Sequence, residues 1–312
     1  MNKKAIFTIL QGEKYVNQWK QYSETSWRAY AAKHGYDIVV VTEPIRQLHD
    51  PAVRPIHWQK LFIPAHPRAA DYDDVVFMDS DIIINWHRAP CVVEANGSDK
   101  IGMVRFDRYV DDNMNYYLIF IRQAKFKNYR DRVDRLRQTP GCMSLTGPDY
   151  SREYGAYTER KDLPILNTGV MVMKPSLHGA LLERIYSESF ADVADGAVPG
   201  SYEQEYLSYR LLQADMVNLI DERFNTQAYF EMALHYPFLF AVPDKTLMQM
   251  CMTTVLSNCY FLHFAGNSDL MPFAVASDEA DFAILGLKDA FKNDIEIIRN
   301  RRPVENRGSL AP

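Results

Sequence analysis

Cysteine is scarce. Cys91, Cys142, Cys251 and Cys259 are the only four in 312 residues, and none forms a CxxC pair. That excludes a disulfide scaffold and speaks against structural zinc and thioredoxin-type chemistry. A surplus of either charge is missing too. Thirty-five basic residues against forty acidic ones leave a net charge of −5, so the chain as a whole has no electrostatic pull on nucleic acid. Long apolar runs are absent. The longest uncharged stretch, residues 246–268, contains Gln249, Asn258, His263 and Asn267 and lies between Pro243 and Pro272, which makes it a poor membrane span. The apolar run at 5–10 is short, lacks a small-residue cleavage site and turns polar at Gln11-Gly12-Glu13-Lys14. It reads as a first strand rather than a signal peptide. No internal repeat, low-complexity tract or interdomain linker stands out. The expectation is a soluble protein in a reducing cytosol.

What is present is an ordinary globular composition, 47% hydrophobic and 24% charged, on a chain long enough for one large α/β domain or two smaller ones. Apolar and aromatic residues at Tyr15, Trp19, Tyr22, Ala29 and Tyr30 recur at helical spacing, and Gly35 ends the pattern, so one helix is predicted over 15–34. Buried strands are predicted at 36–42 and 74–78, and further strands at 101–104, 165–173, 217–220 and 260–264. Helices are predicted at 58–66, 177–189, 202–213 and 278–300, and the tail beyond should be mobile. Strands alternating with helices argue for a right-handed parallel sheet. The segment 105–163 differs, being rich in Tyr, Arg and Asp. Within it Phe126, Tyr129, Val133 and Leu136 form an apolar stripe among seven basic residues. This predicts a basic amphipathic helix at 122–137, either a solvated surface helix or a contact for an anionic acceptor or membrane surface.

The sharpest chemical feature is Asp79-Ser80-Asp81, directly after the apolar strand 74–78. Two carboxylates at i and i+2 in a tight turn can converge on one hard divalent cation, free in turn to bridge a diphosphate. Ligand sites of open α/β sheets lie outside strand C-termini, where this pair falls. A solvated Asx turn is the plain alternative. His263 ends a second apolar strand and is followed by Gly266, which permits close backbone approach to a ligand. A neutral imidazole there would complete the coordination begun by the aspartates, although a histidine on an apolar strand can equally be a satisfied core residue. Asn167-Thr168-Gly169 opens another strand with small polar groups able to face a hydroxylated ligand. Glu203-Gln204 opens a helix, where the macrodipole alone would explain the acid.

Taken together, Ala29-Tyr30-Ala31-Ala32-Lys33-His34-Gly35-Tyr36-Asp37, Trp58-Gln59-Lys60, Phe77-Met78-Asp79-Ser80-Asp81, Asn167-Thr168-Gly169, Glu203-Gln204 and His263-Phe264-Ala265-Gly266 resemble a retaining GT-A glycosyltransferase. Nearest is the galactosyl/mannosyl/xylosyltransferase family, glycosyltransferase family 34. More distant is the glycogenin and lipopolysaccharide glycosyltransferase family, family 8. The likeness spans about residues 1–275. It implies a Rossmann-like mixed sheet with flanking helices, an acceptor-side segment at about 105–163, and an appended C-terminal helix and tail at 276–312.

The resemblance further implies that Asp79, Asp81 and His263 hold Mn²⁺ or Mg²⁺ against the diphosphate of a nucleotide sugar. Thr8 would receive the nucleoside, with Tyr15 stacking. Lys60 and Ser80 would lie near the diphosphate, and Asn167, Gly169 and Gly266 would line the donor pocket. Glu203 and Gln204 would face the anomeric carbon. Two departures stand out. No lysine follows His263-Phe264-Ala265-Gly266 to neutralise the leaving group, and Glu203-Gln204 replaces the family's Asp-Gln. The expected activity is metal-dependent transfer of a hexose or pentose, from a UDP-sugar by preference, to a glycan or lipid-linked glycan. The chemistry would be attack on the leaving-group face or double displacement through a side-chain nucleophile. The enzyme would be cytoplasmic, with peripheral membrane contact through 122–137. The rivals are a Mg²⁺-dependent phosphohydrolase using Asp79 as nucleophile and a non-catalytic sugar-nucleotide-binding protein.

Overall fold

The structure, a computed structural model, describes residues 2–48, 56–105, 166–194, 203–240 and 244–274. The basic helix expected at 122–137, nearly all of the 105–163 segment and the helix expected at 278–300 lie outside them. Among the described residues the chain forms β1 (Lys4–Ile9), α1 (Glu13–Tyr22), α2 (Glu24–His34), β2 (Tyr36–Val41), β3 (Asp74–Met78), β4 (Ile82–Ile84), α3 (Val92–Asn96) and β5 (Ile101–Arg105). There follow β6 (Leu166–Met173), α4 (Pro175–Ala194), α5 (Gln204–Gln213), β7 (Val217–Leu219), β8 (Thr226–Gln227), α6 (Ala228–His235), α7 (Lys245–Asn258) and β9 (Phe261–His263). The main sheet has the order β2-β1-β3-β6-β5-β7, and a small second sheet runs β4-β9-β8.

This is a mixed α/β sheet with flanking helices, and the all-parallel arrangement read from strand and helix alternation does not hold. β1 pairs parallel with β2 and β3, but β6 runs antiparallel to both β3 and β5. The reversal has a consequence for chemistry. It brings the start of β6 to the same sheet edge as the end of β3, where the Asp79 N–H donates to the Gly169 carbonyl at 2.9 Å.

β3 is buried at all five positions, as expected of a strand covered on both faces. Its alternation divides the core. Val75 and Phe77 join Phe7, Val39, Trp58, Phe62 and Tyr186 on one face. Val76 and Met78 join Ile6, Trp27, Tyr30 and Val172 on the other. A third cluster packs α6 and α7 against β9 and the residues that follow it. Neither of these two helices is anticipated by sequence periodicity: α6 is largely buried, and α7 falls in the uncharged stretch 246–268, where its exposed face is marked only by the neutral Thr246, Gln249, Thr254 and Asn258.

The predicted helix at 15–34 is two helices meeting at Ser23. Its hydroxyl, fully buried, donates to the Ser80 carbonyl at 3.0 Å, so the break in the helix serves the aspartate turn. Two residues of α2 hold the strand leaving that turn. The Trp27 indole N–H donates to the Ile82 carbonyl at 2.8 Å, and the Ser26 hydroxyl accepts the Ile84 N–H at 3.1 Å. The segment predicted as a helix at 58–66 is a 3-10 helix, Ile56–Ala65, with residues 58–64 buried. The helix predicted from 202 begins at Gln204, with Glu203 as its N-cap residue.

Ser23→Ala takes the donor from the partly buried Ser80 carbonyl, and a loss of about 0.5–1.5 kcal/mol in urea unfolding is expected. His178 supplies a pH dependence. Its Nδ1 accepts the Lys174 N–H at 2.9 Å, so Nε2 carries the proton toward the Asp99 carbonyl at 2.7 Å. Burial, reinforced by the nearby Lys174 ammonium, holds its pKa below the ordinary histidine value, against the opposing pull of the Asp99 carbonyl. The unfolded chain therefore binds the extra proton first. This stabilisation is complete above about pH 6.5 and fades as pH falls toward the lowered folded value. Denaturation midpoints at pH 7.5 and 5.5 should differ more in the parent than in His178→Gln. An equal difference would show that His178 contributes nothing.

Candidate active site

The turn after β3 carries Asp79, Ser80 and Asp81, and β4 then pairs antiparallel with β9 so that Ile82 lies opposite His263. The Phe264 N–H donates to the Asp81 carbonyl at 3.0 Å. This register places the histidine over the two aspartates. Its Nε2 lies 3.3 Å from Asp81 Oδ1 and 3.7 Å from Asp79 Oδ2. Asp79, Asp81 and His263 each offer one ligand atom, and the three atoms lie within 4.8 Å of one another.

The remaining charge arrives from below. Lys60, in the buried 3-10 segment, brings Nζ to 2.7 Å from Glu203 Oε1 and 3.6 Å from Asp79 Oδ1. It also donates to Thr168 Oγ1 at 3.2 Å. The Thr168 hydroxyl in turn donates to Glu203 Oε1 at 2.8 Å. Lys60 and Glu203 are 3% and 2% exposed, whereas the Asp79 side chain is 31% exposed. The pair is thus the floor of the site and the aspartate is its lining. The expectation placed Lys60 near a diphosphate. In the structure its ammonium is engaged by Glu203, Thr168 and Asp79.

Three carboxylates here face a single ammonium, so with all three ionised the cluster carries one net negative charge when the imidazole is protonated and two when it is neutral. The titration behaviour follows. Burial, together with the carboxylates of Asp81 and Glu203, holds Asp79 above the ordinary aspartate value despite Lys60 and His263. Burial opposes ionisation of Asp81 as well, but the charge and hydrogen bond of His263 outweigh it and keep that carboxyl low. Burial likewise disfavours the imidazolium of His263, yet Asp81 and Asp79 hold its pKa up. Lys60 keeps Glu203 ionised against its burial. Two carboxylates and an imidazole form a donor set suited to a hard or borderline divalent cation such as Mg²⁺ or Mn²⁺. The charge surplus matches one such ion.

The other expected residues gather at the same edge. Asn167 and Gly169 lie at the start of β6, and an added Cβ at Gly169 would stand 2.4 Å from His263 Cε1 and 2.9 Å from Asn167 Oδ1. Glycine is therefore required by the approach of the histidine. Gln204 Oε1 accepts from Asn167 Nδ2 at 3.0 Å, leaving its Nε2 without a partner among the described residues. Thr8, near the C-terminal end of β1, is fully buried, and its hydroxyl has no partner among the described residues. The buried Gln11 Nε2 shares that condition. Gly266 adopts a left-handed backbone with φ +65°. Tyr15 sits in the first turn of α1, half exposed. Sequence reasoning missed Thr168, Asn225 and Gln227. Thr168 lies inside a noticed motif, but Asn225 and Gln227 carry no local signal.

No protein-family model matches the chain, and no curated protein does. Solved structures do resemble it. A glycosyltransferase involved in glycosylation of the PBCV-1 major capsid is 12% identical with a TM-score of 0.47, covering 86% of this chain and 98% of its own. The galactosyltransferase LgtC is 14% identical with a TM-score of 0.45, covering 88% and 98%. The glycosyltransferase GlyE of Streptococcus pneumoniae TIGR4 is 12% identical with a TM-score of 0.43, covering 93% and 64%. At such scores these likenesses assign no role to any residue.

Gly169→Ala should displace the His263 ring and weaken Mn²⁺ binding about 10-fold or more, read by calorimetric titration. Lys60→Met strands the buried Glu203 carboxylate, and a loss of about 3–5 kcal/mol in chemical denaturation is expected.

Proposed function

We propose that this protein is a metal-dependent glycosyltransferase that moves a sugar from a nucleotide-diphosphate donor, UDP-linked by preference, to a glycan or lipid-linked glycan with retention of configuration. The observation that carries the reading is the convergence of Asp79, Asp81 and His263 within 4.8 Å, at the sheet edge where β3 ends, in a cluster where three carboxylates face one lysine. Asp79, Asp81 and His263 would hold Mn²⁺ or Mg²⁺, which when bound neutralises the departing diphosphate as a Lewis acid.

The chain's own residues supply the rest. Thr8 and Gln11 mark the nucleoside end: each has a buried polar atom without a partner among the described residues, which a small shift would have to open to a nucleobase or ribose, and Tyr15 is close by in sequence as a stacking surface. Ser80 belongs to the diphosphate side through its place between the two aspartates. Gly169 and Gly266 leave room for the donor, and Asn167 orients Gln204. Gln204 turns its carbonyl toward β6, so its free N–H₂ is the group it offers to a sugar hydroxyl or the leaving oxygen.

Glu203 is buried and bound by Lys60 and Thr168. A carboxylate so held is poorly placed as a covalent nucleophile, which favours attack by the acceptor on the leaving-group face. Its charge, close beneath the reacting centre, would favour oxocarbenium character there. The missing lysine after Gly266 is answered in part by Lys60, whose charge reaches the metal site through Asp79. The catalytic unit is residues 1–275, with the acceptor met by the 105–163 segment.

Thermal unfolding with UDP, GDP, CMP and ADP, each with and without Mn²⁺, tests the donor site. Stabilisation of about 2.7 kcal/mol is expected with UDP at a hundred times its dissociation constant, lost with chelator and in Asp81→Asn. A well-folded sample that responds to no nucleotide would overturn the reading. A covalent aspartyl phosphate on Asp79 would replace it with phosphoester hydrolysis. Nucleotide binding with no sugar release or transfer would leave a binding protein.

A further inference from the structure

We propose that Asn225 is a positioning residue that fixes the tautomer of His263, keeping the proton on Nδ1 and the Nε2 lone pair aimed at Asp79 and Asp81. The inference rests on the metal-site part of the proposed function. It follows from a chain of amide groups whose polarity is set by the backbone.

A main-chain N–H can only donate. The Gly169 N–H points at the Asn167 side chain at 2.9 Å, so the atom it meets is oxygen, Oδ1. The Thr168 N–H lies 3.5 Å from Gln204 Oε1, which also receives Asn167 Nδ2 at 3.0 Å. Both ends of Asn167 are thereby assigned. The same Asn167 Oδ1 lies 2.7 Å from Asn225, so Asn225 must turn its Nδ2 there and its Oδ1 the other way. That oxygen meets His263 Nδ1 at 2.8 Å. Two acceptors do not approach so closely, so Nδ1 carries a hydrogen and donates it. Gln227 Nε2 donates to the Asn225 main-chain carbonyl at 3.3 Å and to Asn225 Oδ1 at 3.0 Å. It also lies 3.1 Å from His263 Nδ1, a longer approach than the 2.8 Å of Asn225 Oδ1, which therefore sets the polarity of the ring.

With Nδ1 so engaged, a neutral His263 has its lone pair on Nε2, facing Asp81 Oδ1 at 3.3 Å and Asp79 Oδ2 at 3.7 Å. Three acceptors pointing at one another are satisfied by a proton on Nε2, which makes the ring an imidazolium bonded to Asp81, or by a metal cation that replaces that proton. A histidine ligand is ordinarily oriented by a partner at its other ring nitrogen, and losing that partner weakens metal binding. Asn225, Gln227 and His263 are each no more than 3% exposed, so water does not readily substitute. The relay continues through Asn167 to Gln204, coupling ring orientation to the residue that would meet the donor sugar.

The test has two arms. The first is long-range ¹H–¹⁵N NMR of the parent protein in EDTA at alkaline pH, where the ring is neutral. A protonated Nδ1 and a bare Nε2 at His263 are expected, and the reverse assignment overturns the proposal without any variant. The second is Mn²⁺ titration followed by electron paramagnetic resonance. Asn225→Leu, which removes the acceptor, should weaken Mn²⁺ about 10- to 100-fold, whereas Asn225→Asp, which keeps an acceptor for Nδ1 although it gives up the donor to Asn167, should weaken it about threefold or less. Equal weakening of both, with unchanged circular dichroism, would mean that Asn225 serves packing alone. A parent protein that binds no Mn²⁺ would sink the metal-site reading, and the NMR arm would still decide the tautomer.

Discussion

The structure turns on one electrostatic imbalance. Asp79, Asp81 and Glu203 meet at a single sheet edge against one ammonium, that of Lys60. Burying carboxylates without full compensation is costly, and the surrounding elements are arranged to hold them there. The antiparallel β6 brings Thr168 and Gly169 to the edge, and the β4–β9 register lays His263 over the aspartates. The break at Ser23 ties the turn down through the Ser80 carbonyl. A fold organised only by apolar burial would have no use for this concentration of charge, which is why the cluster reads as a place for a cation and an anionic ligand.

Two layers of support lie around it. Beneath the aspartates, Lys60, Glu203 and Thr168 form a buried ionic floor in which each polar atom is met by another. Behind the histidine, Asn225, Gln227, Asn167 and Gln204 form a neutral amide layer. The division is physically sensible. The ionic floor sets local charge, whereas the amides set direction, since each has one donating and one accepting end and so transmits polarity without adding charge. Gly169 sits where the layers join, and the space its missing side chain leaves is occupied by the imidazole.

Much of this was legible in the residues. The apolar runs at β2 and β3 gave strands at nearly the expected bounds, but only β3 is covered on both faces: β2 lies at the end of the sheet, with Asp37 and Val40 exposed. Asp79-Ser80-Asp81 after the β3 run and His263 at the end of another strand were singled out from sequence, and the structure draws the two aspartates and the histidine into one cluster. Less visible was anything that depends on pairing between distant segments. The helix expected through 15–34 breaks at Ser23 because a carbonyl at Ser80 needs a donor, and nothing between 15 and 34 announces that. Helix α6 escaped notice because it is largely buried, which erases the polar half of the helical period, and α7 because its exposed residues Thr246, Gln249, Thr254 and Asn258 carry no charge. Lys60 looked like a residue free to meet a ligand until its partners came into view.

The chain's local patterns determined that there are alternating strands and helices, that a pair of aspartates closes a buried strand, and that small polar residues open another. Such features depend on neighbours within a few positions, where backbone geometry dictates which side chains share a face. Only the tertiary structure decided that β6 runs against β3, that Lys60 is spent on Glu203, and that Asn225 stands behind His263. Those contacts join residues 143 and 38 positions apart in the last two cases, and their geometry is set by strand order and register. A shift of one residue in either would turn the same side chains to the opposite face.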